Sequence, residues 1–270
     1  METKHRIAII GYGSIGKSVV EQLAAGDAAS AFELAVLQRQ GSKHEVALPD
    51  SVKRFIDLDG VLAWKPQLVV ETAGQLAVGQ YAAACLRAGI TFLISSTGAL
   101  ANPELRAQVE QAALSGSTRA IVISGAIGAL DYLGAAARLP GARVVYESRK
   151  PPAAWAAELR ELGLDPDALA EPYVFFEGDA ETAARRYPKN LNVAATLALA
   201  GVGMRETAVR VVADPQVQAN THVIGVESAA GTFHGRIVNA PSPNNSKTSA
   251  IVAYSVVNAI QRHFSPLQFA

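Results

Sequence analysis

Several features that define particular protein classes are scarce in this sequence of 270 residues. It has a single cysteine, Cys85, so one chain can form neither a disulfide framework nor a cysteine zinc cluster. Lysine plus arginine and aspartate plus glutamate are balanced at 24 each, which excludes bulk attraction to nucleic acid or an anionic membrane. No segment approaches the ~20 apolar residues of a membrane span, and no signal peptide precedes the first predicted strand. We therefore expect a cytoplasmic protein that binds neither nucleic acid nor membrane.

Hydrophobic residues make up 50% of the sequence, and their pattern predicts two domains with real cores. In the first 125 residues, continuous Val/Ile/Leu runs alternate with helical patterns, which is typical of a parallel sheet. From "RVVYESRKP" onward, strand-like segments follow one another, and "THVIGVES" and "TFHGRIVNA" are joined by a plausible hairpin turn at Ala229-Ala230-Gly231. The predicted fold class is therefore α/β, with a Rossmann-type parallel sheet domain plus an α+β catalytic domain that has a mostly antiparallel sheet.

The expected division places a dinucleotide-binding domain at residues 1–124 and a catalytic and dimerisation domain at residues 125–245. A last helical pattern runs from about Ser249 to Arg262, and we expect the C-terminal helix segment, residues 246–270, to complete the first domain. Its spacing predicts a buried side made of Ile251, Val252, Ser255, Val256, Ala259 and Ile260.

A glycine-rich turn follows the first predicted strand in "RIAIIGYGSIGKSV". Gly11, Gly13 and Gly16 have the G-x-G-x-x-G spacing, in which the first glycine permits a tight bend, the second admits pyrophosphate and the third lets helix pack on strand. Phosphate would lie against N–H groups at the helix start, beside Ser14 and Ile15. Glycines also mark ordinary turns, but the strand before and the helix after favour dinucleotide binding here.

The end of the second predicted strand bears on the choice of cofactor. An acidic residue about twenty positions after the glycines would hold the ribose hydroxyls of NAD, but "AVLQRQ" has Gln38 and Arg39 there. An arginine can pair with the 2′-phosphate of NADP, so we expect NADP to be accepted. Gln38 can still hydrogen-bond a ribose hydroxyl, which keeps NAD as a second cofactor, and the alternative for Arg39 is a solvated strand end.

Small residues also follow the later strands of the first domain. They lie in "ETAG", which contains Ala73 and Gly74, and in "SSTGAL" and "SGAIGALD". Small residues let a backbone approach a ligand closely, although each segment alone is also consistent with a tight turn. Three of them at corresponding strand ends favour a cleft lined for the nicotinamide half of a cofactor.

Five longer blocks resemble the L-aspartate dehydrogenase family: "SGAIGALD", "ESRKPP", "FFEGDAETAARRYPKNLNVAATLALAG", "VVADPQVQANTH" and "NNSKTSA". They lie in family order over nearly the whole chain. The resemblance implies NAD(P)-dependent oxidation of L-aspartate to iminoaspartate, and thence to oxaloacetate and ammonia, in amino-acid metabolism and NAD biosynthesis. It also implies a homodimer, cofactor contacts at Ala126 and Asn192, and a catalytic histidine at His222. His234 departs from the family pattern. We interpret it as a strand residue that faces solvent or has its hydrogen bonds satisfied within the protein, rather than as a second base.

The chemistry of such a reaction favours particular residues independently. Imine formation and hydrolysis need a proton acceptor near the substrate Cα, and histidine titrates close to working pH. Among five histidines, His222 begins a strand after a polar loop, although a structural histidine is the commoner case. A dicarboxylate substrate also needs cations and hydrogen-bond donors, for which the candidates are Arg149, Lys150, Lys189, Asn190, Lys247, Thr248 and Ser249.

Other interpretations of these residues and of the whole chain remain open. The cations can equally be solvated loop charges. Glu177 and Asp179 have no third ligand at metal-binding spacing, so we predict no metal site. For the whole chain, a reductase of homoserine dehydrogenase or dihydrodipicolinate reductase type would share the glycine turn, and a non-catalytic nucleotide sensor would bind cofactor without turnover.

Overall fold

The computed structural model describes residues 4–26, 28–38, 47–188, 190–243 and 245–268, and for residues 245–247 it describes the backbone alone. The chain forms two compact units. It passes from the first unit to the second between Gly125 and Ala126, and it returns to the first between Ile251 and Val252. Each unit contains its own sheet.

The first unit alternates strands and helices along the chain. Its strands are β1 (His5–Ile10), β2 (Phe32–Leu37), β3 (Lys53–Phe55), β4 (Leu68–Glu71), β5 (Thr91–Ile94) and β6 (Ala120–Val122). Before the chain leaves this unit at Gly125, the helices are α1 (Ser14–Leu23), α2 (Ala28–Ala31), α3 (Leu58–Ala63), α4 (Gln75–Arg87) and α5 (Pro103–Ser115), with a 3-10 turn at Thr97–Ala101.

The sheet of the first unit has the order β3-β2-β1-β4-β5-β6, and its neighbouring strands are parallel. This is the strand order of a dinucleotide-binding Rossmann fold, in which the order reverses beside β1. The apolar run Ile7 to Ile10 is buried throughout, as expected for a strand covered on both faces. The predicted Rossmann-type parallel sheet is confirmed, whereas β3 lacks an apolar run and was not predicted.

The second unit contains a five-stranded sheet with helices beside it. Its strands are β7 (Arg143–Lys150), β8 (Tyr173–Asp179), β9 (Thr207–Ala213), β10 (Asn220–Ser228) and β11 (Gly231–Asn239). A short separate hairpin is formed by β12 (Pro241–Ser242) and β13 (Asn245–Ser249). Its helices are α6 (Leu130–Ala136), α7 (Ala156–Glu161), α8 (Ala180–Arg186) and α9 (Asn192–Ala200), with 3-10 turns at Pro152–Trp155 and Pro166–Ala168.

The large sheet of the second unit has the order β11-β10-β7-β9-β8. The pairs β11–β10, β10–β7 and β9–β8 are antiparallel, and β7–β9 is parallel. The mostly antiparallel sheet is therefore confirmed, with one parallel pair that makes it mixed. Helices α6, α8 and α9 contact this sheet, and the alternating burial along β7 and β9 shows that one face is covered. That covered face holds Tyr146, Ser148, Lys150 and His222, because side chains alternate along a strand and paired residues share a face.

The last helix, α10 (Ile251–Phe264), packs on the core of the first unit. Its core side chains are Ala253, Val256, Val257 and Ile260, which follow the i, i+3, i+4, i+7 spacing of one helix face. The predicted start at Ser249 and the predicted burial of Ile251 are wrong. Ser249 ends strand β13, and Ile251, as the first helical residue, is 46% exposed.

Candidate active site

The glycine turn between β1 and α1 is tightly packed at its first and third glycines. Gly11 has a φ of +94°, and a Cβ placed there would lie 2.7 Å from the Cβ of Ala73. A Cβ on Gly16 would lie 2.2 Å from the carbonyl oxygen of Gly11. A side chain at either position would therefore displace backbone, so these two glycines are required by the turn itself.

The middle glycine differs. Gly13 has ordinary backbone angles, and apart from Gly13 and its two chain neighbours no described residue has an atom within 4 Å of the position of its Cβ. It is the N-cap of α1, which has no side-chain cap, and Ser14 and Ile15 form the first positions of that helix. A pyrophosphate fits this arrangement, because the backbone is open to close approach and the helix N-terminus attracts anions. The residues present thus fit a dinucleotide.

A buried carboxylate joins the two loops that follow β4 and β5. Glu71 is fully buried, and its Oε1 accepts hydrogen bonds from the backbone N–H groups of Ala73 and Gly74, at 2.7 Å each. The backbone N–H of Ser96 donates to Oε2 at 2.9 Å, and its hydroxyl donates to Oε1 at 2.9 Å. Burial raises the pKa of Glu71, and the four donors oppose that rise. Glu71 therefore holds the "ETAG" and "SSTGAL" loops in place.

The residues expected to choose the cofactor are only partly described. Gln38 is buried just after β2, and its backbone N–H donates to the carbonyl of Phe55 at 2.9 Å. Arg39 lies outside the described residues. Gly74, expected at the nicotinamide side, is the N-cap of α4. Its φ is +110°, a backbone conformation that residues other than glycine rarely adopt.

In the second unit, His222 lies in a buried polar cluster on the covered face of the large sheet. Its Nδ1 is 2.8 Å from the hydroxyl of Tyr146, which is on the adjacent strand. Among the described residues, His222 Nε2 and the hydroxyl of Ser148, its cross-strand partner, are buried without a hydrogen-bond partner. Lys150 lies two residues further along β7 on the same face. The cluster therefore combines a histidine, two hydroxyls and a cation.

The environment keeps His222 neutral near pH 7. Burial, and then the positive charge of Lys150, lower the pKa of His222 from 6.5 to about 4. Burial also raises the pKa of the Tyr146 phenol above its usual value of 10, so this residue stays protonated. A neutral imidazole has one nitrogen that donates and one that accepts, which is the state that a general base requires.

Lys150 is 4% exposed, which is unusual for a lysine. Its Nζ donates to Oδ1 of Asn190 at 3.0 Å and lies 4.9 Å from the ring centre of Trp155. Two of the predicted substrate ligands, Lys150 and Asn190, are thus brought together beside the histidine. Lys189 lies outside the described residues, and the side chain of Lys247 is not described.

Arg149, the neighbour of Lys150 in sequence, points to the opposite face of the sheet. Its guanidinium Nη1 is 2.7 Å from Oδ2 of Asp214, and its Nε pairs with Oε1 of Glu147. Asp214 is 3% exposed and Glu147 is 9% exposed. Arg149 therefore neutralises two carboxylates of the protein itself, on the face away from His222.

The remaining predicted residues also belong to the second unit. Ser249 is buried at the end of β13 and its hydroxyl accepts from Nδ2 of Asn220, which shares the face of His222. Ser249 and its neighbour Thr248 belong to strand β13, so their hydroxyls, rather than N–H groups of a helix N-terminus, are the donors that they can offer. The carbonyl of Ala126 accepts from Nδ2 of Asn239 at 2.8 Å, and Asn192 begins α9.

The structure also bears on the residues that were set aside. Cys85 is fully buried, and burial raises the pKa of its thiol to about 12, which is typical of an inert cysteine. His234 is exposed on β11, as expected. Within the described ranges, no group of three His, Cys, Asp or Glu side chains is placed to hold a metal ion. None of the helices in those ranges has the length and apolar character needed to cross a bilayer.

Sequence reasoning missed three residues of these clusters: Glu71, Tyr146 and Ser148. Tyr146 and His222 are 76 residues apart in the chain, so no local spacing connects them. The one available signal was the position of Ser148 within the "ESRKPP" block and of Glu71 within "ETAG".

Family models match both parts of the chain. Residues 11–122 match the model described as "Homoserine dehydrogenase, NAD binding domain", and residues 131–263 match "Aspartate dehydrogenase, C-terminal". L-aspartate dehydrogenase 2 of Bordetella pertussis is 52% identical over 261 residues, which cover 97% of this chain and 97% of that protein. L-aspartate dehydrogenase of a Polaromonas species is 41% identical and covers 94% and 96%, respectively. The crystal structure of aspartate dehydrogenase from Thermotoga maritima, 29% identical, has a TM-score of 0.79 and covers 99% of this chain and 100% of that one.

The parallel sheet, its glycine turn and the match to an NAD-binding model define a dehydrogenase that uses a nicotinamide cofactor. The polar cluster of the second unit lies within the part that matches the aspartate dehydrogenase C-terminal model. The chain belongs to the L-aspartate dehydrogenase family, because it is 52% identical to a member of that family over 97% of both sequences.

Proposed function

We propose that the chain catalyses the NAD(P)-dependent oxidative deamination of L-aspartate to iminoaspartate, which water then converts to oxaloacetate and ammonia. The observation that carries this proposal is the buried pair His222 and Lys150, with Asn190 hydrogen-bonded to Lys150, in the unit that matches the aspartate dehydrogenase model. A neutral histidine next to a buried cation suits a substrate that carries carboxylates and must lose a proton from nitrogen.

His222 is the proposed proton acceptor. The substrate amine must be unprotonated, because its lone pair forms the C=N bond as the Cα hydrogen leaves with both bonding electrons as hydride. A water molecule then adds to the imine carbon and loses a proton. His222 Nε2, which is buried and has no partner among the described residues, takes the proton at one of these two steps. The oxidised nicotinamide, when bound, supplies the hydride acceptor.

Cations and hydroxyls of the second unit hold the substrate in this proposal. Lys150 and Asn190 bind one carboxylate, and Lys189, Lys247, Thr248 and Ser249 remain proposed ligands for the dicarboxylate. A negative substrate beside Lys150 offsets the positive charge that lowers the pKa of His222, so substrate binding itself makes the histidine a better base. We assign Arg149 to structure instead, because its guanidinium already pairs with two carboxylates.

The first unit is the proposed dinucleotide-binding domain, with the C-terminal helix as part of it. Gly11, Gly13, Ser14, Ile15 and Gly16 hold the pyrophosphate, Gln38 and Arg39 the adenosine ribose, and Ala73, Gly74, Ala126 and Asn192 the nicotinamide half. Arg39 makes NADP acceptable beside NAD. Arg39→Ala should therefore weaken NADP by roughly 1–3 kcal/mol and NAD by less, and an equal loss for both cofactors would contradict this role.

A spectrophotometric panel tests the function directly. With L-aspartate and either oxidised cofactor, the purified protein should form reduced nicotinamide, and oxaloacetate plus ammonia should consume it. Homoserine, aspartate semialdehyde and dihydrodipicolinate serve as control substrates, because turnover of any of these instead would indicate a related reductase. Cofactor binding without turnover of any substrate would indicate a nucleotide sensor.

We further propose a cytoplasmic homodimer that supplies iminoaspartate for NAD biosynthesis, with its interface on the second unit. The face of the large sheet opposite His222 supports this placement, because Val145 is 45% exposed there and Val238 is 58% exposed. Val145→Glu should convert a dimer to a monomer in sedimentation analysis, and a monomeric unmodified protein would contradict the proposal.

A further inference from the structure

The strongest unassigned feature of the second unit is the contact between Tyr146 and His222. The Tyr146 side chain is fully buried, and its hydroxyl lies 2.8 Å from Nδ1 of the histidine, with the two rings nearly parallel at 22°. Both residues lie on the covered face of the sheet, on adjacent antiparallel strands. The contact therefore fixes which ring nitrogen of His222 is engaged by protein and which one is left for substrate.

The hydrogen-bond partners in this cluster can be counted. Nδ1 contacts the Tyr146 hydroxyl, whereas Nε2 and the Ser148 hydroxyl are buried and have no hydrogen-bond partner in the described part of the chain. Ser148 lies two residues from Tyr146 on the same face, and its hydroxyl is close enough to lower the pKa of the phenol, against the larger rise caused by burial, although it forms no hydrogen bond in the described structure.

We propose that Tyr146 is a positioning residue that acts through His222: its hydroxyl holds Nδ1, so that Nε2 faces the substrate as the proton acceptor. The proposal rests on the catalytic role of His222 given above. In this arrangement the phenol keeps its proton and donates a hydrogen bond to Ser148 Oγ, so the phenol oxygen can accept one from Nδ1–H. The neutral ring then carries its proton on Nδ1 and its lone pair on Nε2.

The same contact remains when the histidine is protonated. When Nε2 takes a proton from the substrate amine or from water, the ring becomes a cation and Nδ1–H still donates to the phenol oxygen. A hydrogen bond from a charged donor is roughly twice as strong as one between neutral groups, so Tyr146 stabilises the cation more than the neutral ring. Loss of the hydroxyl should therefore disfavour proton uptake as well as release the ring orientation.

No other titratable group in the described residues is placed to give the same effect. Lys150 faces His222 from β7 and opposes its protonation. Asn190, Ser148 and Asn220 are neutral polar side chains of the same region. Glu147 and Arg149 alternate with them and lie on the opposite face of β7. The helices on the covered face contribute mostly apolar side chains, as in the "NVAATLALA" sequence of α9.

Tyr146→Phe is the test, because it removes one oxygen atom and keeps the ring. We expect turnover with L-aspartate to fall about tenfold, with cofactor affinity unchanged, and the acidic limb of the kcat profile to move about one pH unit lower. Tyr187→Phe is the matched control, since Tyr187 is also a buried tyrosine of the second unit and its hydroxyl interacts with Arg186 rather than with His222. This control should keep the pH profile of the unmodified protein.

A double-mutant cycle separates positioning from a purely structural role. Tyr146→Phe should have almost no further effect on turnover in a His222→Asn background, because it acts only through the histidine. Equal tenfold losses in both backgrounds, or an unshifted acidic limb in folded Tyr146→Phe, would overturn the proposal. Full activity of His222→Asn alone would instead overturn the catalytic role of His222, so the two failures are distinguishable.

Discussion

Replacement of Arg149 by methionine distinguishes a structural cation from a substrate ligand. Methionine keeps much of the aliphatic volume and removes the guanidinium that pairs with Asp214 and Glu147. The side chains of these carboxylates are only 4% and 11% exposed, so each would be left nearly buried without its main cation. We therefore expect the second unit to be destabilised while KM for L-aspartate changes by less than about twofold.

The magnitude follows from the partners that remain. Breaking a buried ion pair by removing one member typically costs 3–5 kcal/mol. Here Arg149 is 29% exposed, Asp214 keeps the backbone N–H of Gln216 at 2.8 Å, and Glu147 keeps Arg210 at 3.5 Å. These contacts reduce the expected loss to about 2–3 kcal/mol of unfolding free energy.

The assay is urea unfolding followed by tryptophan fluorescence. The chain has two tryptophans, and in a Trp64→Phe background the buried Trp155 reports on the second unit alone. Arg205→Met is the matched control: Arg205 is 79% exposed and its partner Glu181 keeps Arg185 at 3.5 Å, so we expect a loss below about 1 kcal/mol. An unchanged unfolding midpoint in Arg149→Met, together with a KM raised more than about tenfold, would refute this reasoning and make Arg149 a substrate ligand.

Three further predictions concern the two candidate sites. The pKa of His222 is about 4 in the folded protein and 6.5 ordinarily, so on acidification the unfolded chain protonates this histidine first. The free energy of unfolding should therefore fall by about 3 kcal/mol as the pH drops from 6.5 to 4. Denaturant unfolding at several pH values should show that His222→Asn removes this part of the acid destabilisation. Glu71→Gln replaces one acceptor oxygen by an NH₂ group that faces a backbone N–H, so it should lower the free energy of unfolding by about 1–3 kcal/mol and weaken cofactor binding in fluorescence titrations. If neither quantity changed, Glu71 would not hold the "ETAG" and "SSTGAL" loops. Gly13→Val should abolish tight binding of NAD and NADP without unfolding, because no described atom meets its Cβ, whereas Gly11→Val should destabilise the fold itself; normal cofactor affinity in folded Gly13→Val would contradict the assigned phosphate site.

Much of the first unit could be predicted because its signals are local. Buried strands such as β1 and β4 are continuous apolar runs, and the glycine spacing marks the turn that joins β1 to α1. The roles of Gly11 and Gly16 in that turn follow from backbone geometry over a few residues. The start of α10 was misplaced for the opposite reason, because the residues before it pair with Pro241 and Ser242 in a hairpin that helical spacing cannot reveal.

The polar cluster around His222 was only partly predictable. Sequence identified the histidine and Lys150 as candidates, and the resemblance to a family singled out the histidine. Neither indicated Tyr146, because its contact with His222 joins two strands that are far apart in the chain. Glu71 was passed over for a similar reason, since one of its partners, Ser96, follows a different strand.

Arg149 and Lys150 illustrate where sequence stops and tertiary structure begins. They are adjacent cations in one motif, and a strand necessarily turns them to opposite faces of a sheet. Sequence alone determined that they would differ, but only the packing of α6, α8 and α9 on one face decided which of them would be buried beside His222. The physical reason is that alternation is a property of the local backbone, whereas the covering of a sheet face depends on apolar helices brought from elsewhere in the chain.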